Sequence, residues 1–426
     1  MRAAVRSGRA GGMVTRVARM VATVLVATLV ALGAHQAADA VFHAGWTGNC
    51  DGCHGSSSPV DGTSVGLSLT PSEICLRCHA AAKPTDHQVA THPPPPPGVP
   101  PAALTPGGDF AYLQKLYYWT DSAAGSSFSP GERHGHNIVA PAYGYVADVT
   151  FSASPGGTYP SAVLSCISCH DPHGNYRLLD SAGTIVRSGN PIIDSGSYGT
   201  PPTATEAVGT YRLLAGKGYG TKSAAHTFQY DPPIAVVPRN YNRAEVDVDT
   251  RVAYGKGTSE WCLNCHEVFA NRGGGKSHMH AAGAELGGTI AGNYNHYVKT
   301  GDLNGSQSTA FTSLVPFQSG EVGNVQQLAA VAMSFDGARP EDKIMCLTCH
   351  RAHASAWHGM TRWNTKGSFL LVNGDYPGID ATGKGGDGTN AGGKTRAEYK
   401  KAMYDRDPSR FAFFQRSLCN KCHAKD

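Results

Sequence analysis

The chain has 426 residues, with 52 glycines, 26 prolines and only 16% charged side chains. Its 36 basic and 32 acidic residues include Arg2, Arg6, Arg9, Arg16, Arg19 and Asp39 in the first 40 positions, which leaves 31 of each sign in the remainder. A neutral body with scattered lysines and arginines excludes a nucleic-acid groove, and so much glycine and proline with so little periodicity excludes a conventional side-chain core as the sole support of the fold.

In chain order, the five arginines precede an apolar stretch from Met20 to Leu32, and Ala38-Asp39-Ala40 follows as a small-residue cleavage site. This is the pattern of a secretory signal peptide over residues 1–40, which makes 41–426 a single exported unit. At 40 residues the leader exceeds the usual ~15–30, so Met13 and Met20 are alternative starts. The apolar run falls short of the ~20 residues that a membrane span requires, and no later segment reaches that length. The expected location is extracellular or on the outer cell surface, with the periplasm as the alternative.

All twelve cysteines then fall into six copies of Cys-x-x-Cys-His: Cys50/Cys53/His54, Cys75/Cys78/His79, Cys166/Cys169/His170, Cys262/Cys265/His266, Cys346/Cys349/His350 and Cys419/Cys422/His423. Two thiols three residues apart lie along one helical turn and can form thioethers to the two vinyl groups of one porphyrin, with the next histidine under the iron. A single copy is also compatible with a zinc knuckle or a redox dithiol. Six copies with no cysteine left over point to six covalently bound haem c groups, each with one iron.

Short helices are expected around these motifs. Thr70-Pro71-Ser72-Glu73 is a capping box with proline at the first helical position, just ahead of Cys75. Pro93–Pro97 forces an extended segment, read as a stiff spacer. Ser181–Thr205 and Val372–Lys394 show neither helical nor strand periodicity. Glu321–Phe335 and Thr395–Tyr404 read as helices, and Asp407-Pro408 begins another, in which Phe411, Phe414 and Leu418 recur at helical spacing up to the last motif. First cysteines are separated by 25, 91, 96, 84 and 73 residues, so the motifs do not form a repeat of fixed period. The expected fold is a multihaem cytochrome c, loop-rich with short helices and very little strand, its chain wrapped around a column of six haems.

Axial ligation separates electron transfer from catalysis, because a catalytic haem leaves one position open. Nineteen histidines less six in the motifs and His35 in the leader leave twelve for six distal positions. Bis-histidine ligation throughout is therefore possible, and it favours low potentials. No motif is altered to Cys-x-x-Cys-Lys. His173 and His353 each follow a motif histidine by three residues. Tethered on the proximal side, neither can reach the far face of its own haem, so each is expected to ligate another.

Several strings between the motifs carry a resemblance: Thr105–Phe110 (TPGGDF), Gly135–Ala140 (GHNIVA), Tyr145–Asp148 (YVAD), Pro155–Pro160 (PGGTYP), Cys169–Tyr176 (CHDPHGNY), Arg251–His266, Cys349–Ser355 (CHRAHAS) and Leu418–Asp426. On these, from about Phe42 to the C-terminus, the chain resembles the OmcS-type hexahaem outer-surface filament cytochromes of metal-reducing bacteria. The resemblance implies bis-histidine haems in a continuous chain and subunits joined head to tail into a conducting filament. It implies distal ligands at His43, His87, His136, His173, His280 and His353, and leaves His92, His134, His226, His278, His296 and His358 as surface residues. It also implies a histidine shortly after the first motif that crosses to a neighbouring subunit. Here Gly55-Ser56-Ser57-Ser58 occupies that stretch, so either His43 takes the role or the junction is built differently.

The leading expectation is a non-catalytic electron conduit outside the cell. It would receive electrons from redox partner cytochromes and pass them to metal oxides, electrodes or partner cells. A monomeric periplasmic or surface shuttle is the alternative, and an oxyanion reductase with one open haem is a third reading.

Overall fold

The computed structural model describes residues 53, 69–84, 87–121, 125–172, 175–179, 185–191, 211–221, 223–233, 235–236, 251–271, 282–310, 314–319, 325–332 and 334–424. The chain divides into Met1–Val41 and Phe42–Asp426, and every described residue belongs to the second unit. The leader, His43, Cys50, His54, His173, His278 and His280 lie outside the described residues.

Regular structure is short, as the composition requires. The helices are α1 (Pro71–His79), α2 (Thr258–Cys262), α3 (Gly287–His296), α4 (Val325–Ala332), α5 (Cys346–Cys349), α6 (Gly388–Ala391), α7 (Arg396–Ala402) and α8 (Asn420–His423). Four two-stranded sheets complete the inventory among the described residues. The largest are the hairpins Tyr117–Asp121 with Gly125–Ser129 and Asn175–Leu179 with Ile185–Pro191. The second of these places a strand inside Ser181–Thr205, where the sequence shows no alternation. No helix among the described residues is long and apolar enough to cross a membrane.

Caps set the two best-defined starts. At α1 the Thr70 hydroxyl accepts from the Glu73 N–H, and the Glu73 carboxylate accepts from the Thr70 N–H at 2.7 Å. The other carboxylate oxygen of Glu73 accepts from the Ala142 N–H, also at 2.7 Å, so the cap joins two distant segments. Helix α7 repeats the box with Thr395 and Glu398, and lysines 400 and 401 lie in its last turn, where cations complement the helix dipole. Helix α4 falls within the expected Glu321–Phe335. The helix expected after Asp407 does not extend: a single 3-10 turn, Pro408–Arg410, ends at extended Phe411. Tertiary bonds capture the following backbone instead, because Ala412 N–H donates to Gln415 Oε1 and Gly374 N–H donates to the Phe413 carbonyl.

The chain supplies more apolar core than its composition implies. Tyr294, Phe317, Trp357, Trp363, Leu370, Leu371, Tyr376, Tyr399, Met403 and Leu418 are buried in one cluster drawn mainly from the C-terminal third. The Pro93–Pro97 loop is largely exposed. It is anchored from beneath by buried Lys115, whose ammonium donates to the Pro96 and Val99 carbonyls and lies 3.6 Å from Glu398.

Segments around Gly108, Gly135 and Ala354 meet in space. Ala354, fully buried, bridges Gly108 on one side and Gly135 on the other. His353 N–H donates to the Gly107 carbonyl, His136 N–H to the His353 carbonyl, and Ser355 N–H to the His134 carbonyl. Arg351 donates to the Pro106 carbonyl at 3.0 Å and lies over the Tyr404 ring, whose hydroxyl donates to the Thr105 carbonyl. Gly108 has φ +98°, and a Cβ there would fall 1.6 Å from the Ala354 carbonyl oxygen. Gly108→Ala is therefore expected to cost roughly 3 kcal/mol or more. A thermal melt of the haem-loaded protein measures it, and an unchanged midpoint contradicts this packing.

Candidate haem sites

Each described motif sits at a short helical turn: α1 for Cys75–His79, a 3-10 turn Cys166–Ser168, then α2, α5 and α8. The eleven described cysteines form no disulfide, and each keeps some exposure to solvent. Among the described residues no group of three or more histidine, cysteine or acidic side chains is arranged to hold a bare metal ion, as a zinc knuckle requires.

Four motif histidines share one hydrogen bond. Nδ1 donates to a backbone carbonyl in His79 (to His87, 2.7 Å), His170 (to Arg212, 2.8 Å), His266 (to Pro155, 2.8 Å) and His350 (to Gly359, 2.8 Å). A carbonyl can only accept, so the proton is on Nδ1 and Nε2 carries the lone pair. This is how a metal-bound histidine is oriented and made more basic. The acceptors are backbone atoms of unrelated residues, which no side-chain pattern reveals.

The thiols follow one another in space in the order of the sequence. Cys53 is within electrostatic reach of Cys75 and Cys78. Cys75 lies beside Cys166, Cys169 neighbours Cys265, Cys262 lies beside Cys346, and Cys349 neighbours Cys419. Desolvation holds the Cys169 and Cys349 thiols up at about 11.

Three histidine pairs face each other: His79 with His87 at 6.0 Å between ring centroids, His136 with His266 at 6.1 Å, and His170 with His353 at 6.2 Å. Two imidazoles on opposite sides of one metal ion, each bonded at about 2 Å and each about 1 Å from nitrogen to ring centre, have centroids roughly 6 Å apart. His136 resembles a proximal ligand in donating Nδ1 to the Ala352 carbonyl at 2.7 Å. Burial and then the facing His266 ring push it down to about 4; burial and then His170 push His353 down to about 3. Both are thus held in the neutral form that binds metal. His353 Nδ1 has no hydrogen-bond partner, and its ring stacks on Phe110 at 4.7 Å. His87 Nε2 lies 2.6 Å from the Gln88 amide nitrogen.

Two histidines read as surface residues are structural instead. His134 is fully buried, and both ring nitrogens are engaged, Nε2 with the Ser129 hydroxyl and Nδ1 with the Tyr112 carbonyl, each at 2.9 Å. His226 donates Nε2 to the Asn264 carbonyl inside the fourth motif. Its half-buried ring helps hold that loop, together with Asn264 Oδ1, which accepts from the Gln229 and Tyr230 N–H groups. His92 is half-buried against Tyr143 at 4.7 Å, whereas His296 and His358 are exposed. His136→Ala should therefore convert one haem to a five-coordinate, high-spin site. His134→Ala should leave the spectrum low-spin while costing roughly 2–4 kcal/mol. Optical spectra and melts of the two variants separate these roles, and a high-spin signal from His134→Ala would reverse the assignment.

Accessible thiols on helical turns, neutral histidines with Nδ1 tied to carbonyls, and ring pairs at iron-bridging separation fit haem and do not fit a bare ion. The arrangement defines a multihaem c-type cytochrome, whose cofactor is covalent haem and whose work is electron transfer. No protein-family model matches the chain. C-type cytochrome OmcS of Geobacter sulfurreducens is 42% identical over 412 residues, covering 90% of this chain and 94% of that protein. A cryo-EM structure of the OmcS nanowires of Geobacter sulfurreducens matches with a TM-score of 0.78 at 40% identity, and a structure of the outer membrane cytochrome S filament of the same organism with 0.79 at 41%. Each covers 90% of this chain and 100% of that one. The chain belongs to the OmcS family of c-type cytochromes.

Proposed function

We propose that this protein, freed of residues 1–40, is an extracellular electron conduit. Six haems are held by its six Cys-x-x-Cys-His motifs, and subunits join head to tail into a filament that delivers electrons to metal oxides, electrodes or partner cells. The observation that carries the reading is the spatial order of the described thiols, from Cys53 to Cys419, which supports one continuous path through the molecule. His87 completes the second haem, His353 the third and His136 the fourth; His43, His173 and His280 are assigned to the remaining positions. Bound haem supplies reversible one-electron iron chemistry, and the protein's part is to hold both axial positions so that no substrate enters. Subunits related by a contact that does not close on itself form an open filament, and the path then continues from one subunit to the next.

Intact mass and optical spectroscopy test this. Six haem additions, no free thiol and a purely low-spin spectrum in both oxidation states are expected, with filaments visible by electron microscopy. Fewer than five haems overturns the reading. A haem that binds nitrite stoichiometrically favours a reductase, and six low-spin haems in a protein that stays monomeric at high concentration favours a shuttle.

A further inference from the structure

Two places in the fold repeat one constellation. Residues 72–79 and 259–266 share the pattern Ser-Glu-x-Cys-Leu-x-Cys-His, whereas Val163, Lys343 and Arg416 stand at the serine position before the third, fifth and sixth motifs. Both serines are buried, Ser72 fully and Ser259 at 3% exposure. Each lies one turn before its motif, on the face that carries the first cysteine. Each accepts from the backbone N–H of the first cysteine of the following motif: Cys166 to Ser72 and Cys346 to Ser259, both at 3.3 Å. Those N–H groups open the turn Cys166–Ser168 and helix α5, where a helical start leaves its donors without an internal partner. The serines therefore cap the next motif from a distance. At the same two junctions the first cysteines lie side by side, Cys75 with Cys166 and Cys262 with Cys346, where the two backbone bonds to Ser72 and Ser259 hold the second of each pair.

We infer that Ser72 and Ser259 are positioning residues that set the haem-to-haem contact at two junctions, second to third and fourth to fifth. This rests on the haem assignment above. A thioether cysteine carries the rim of its porphyrin, so two cysteines held in contact bring two rims together. The serine fixes that contact by tying the backbone of one motif to the helix of the other. The column thus contains two equivalently built junctions, and the distance an electron crosses at each depends on one hydroxyl.

The test uses the haem-loaded protein with S72A, S259A, the double variant, and S72T with S259T. Neighbouring haems couple their Soret transitions, and circular dichroism reads the coupling as a paired positive and negative band that depends on relative haem orientation. S72A and S259A should each remove part of that couplet, and the double variant more than either, with six haems and a low-spin spectrum retained. Threonine keeps the hydroxyl, so S72T and S259T should keep the couplet. An unchanged couplet in both alanine single variants overturns the inference, as does equal loss in the alanine and threonine variants. The single variants are each decisive if the double variant fails to mature. Intact mass separates this failure from that of the haem assignment, which would show as missing haems in the unaltered protein.

Discussion

His353→Ala is expected to open one haem, and that haem is the one on Cys166 and Cys169, not the one on the neighbouring Cys346 and Cys349. The His353 ring faces His170 at 6.2 Å, while its backbone is held by the Gly107 and His136 segments. The ferrous variant should bind about one carbon monoxide per chain where the unaltered protein binds none, since a filled axial position excludes it. Losing the ring that stacks on Phe110 adds a stability cost of roughly 2–4 kcal/mol. The location is checked by combination. In a Cys166→Ala/Cys169→Ala chain without the third haem, His353→Ala should add no carbon monoxide site. A site that persists there would place His353 on a different iron.

The largest purely structural effect is expected at Asp109. Its carboxylate is buried and accepts four hydrogen bonds: Oδ1 from the Thr91 and Ala111 N–H groups, and Oδ2 from the Thr91 hydroxyl and the Ala103 N–H. Asp109→Ala leaves three buried backbone donors without an acceptor, at a cost of roughly 3–5 kcal/mol, or a fall in melting midpoint of about 5–10 °C. Asp109→Asn should be nearly as damaging despite its shape. Both oxygens already accept twice, so the amide must turn an NH2 group toward a backbone N–H. Thermal melts at equal haem content measure both, and an asparagine variant as stable as the original contradicts the bonding described.

The motifs, the capping box at Thr70 and the helix within Thr395–Tyr404 are legible in the sequence because they follow from local residue chemistry, and the structure bears out the last two. What the sequence leaves hidden depends on distant partners. His134 and His136 are two residues apart and chemically identical. Only the arrival of Ser129 and the Tyr112 carbonyl on one, and of His266 opposite the other, separates a structural histidine from a candidate ligand. Asp109 has no distinguishing neighbour in the chain, and its four donors come from three separate stretches. The helix expected through Phe411 and Phe414 had the right spacing, but bonds to Gly374 and Gln415 took its backbone elsewhere. The paired Ser-Glu-x-Cys-Leu-x-Cys-His strings are plain in the sequence, yet their meaning rests on Cys166 and Cys346, each supplied by the next motif.

The thiols line up in the order of synthesis, but the proposed second ligands do not. A chain threaded from its N-terminus can receive its haems one at a time, each settling on the one before. The third breaks that sequence. Its proposed first ligand, His170, arrives with its own motif, whereas the ring that faces it belongs to His353, beyond the fifth. On the proposed ligation, the third iron would keep one face open until that residue emerges, and His136 would likewise wait for a haem not yet attached. A chain cut short between His170 and His353 should then carry a high-spin centre, so completion of the molecule could be followed by its colour.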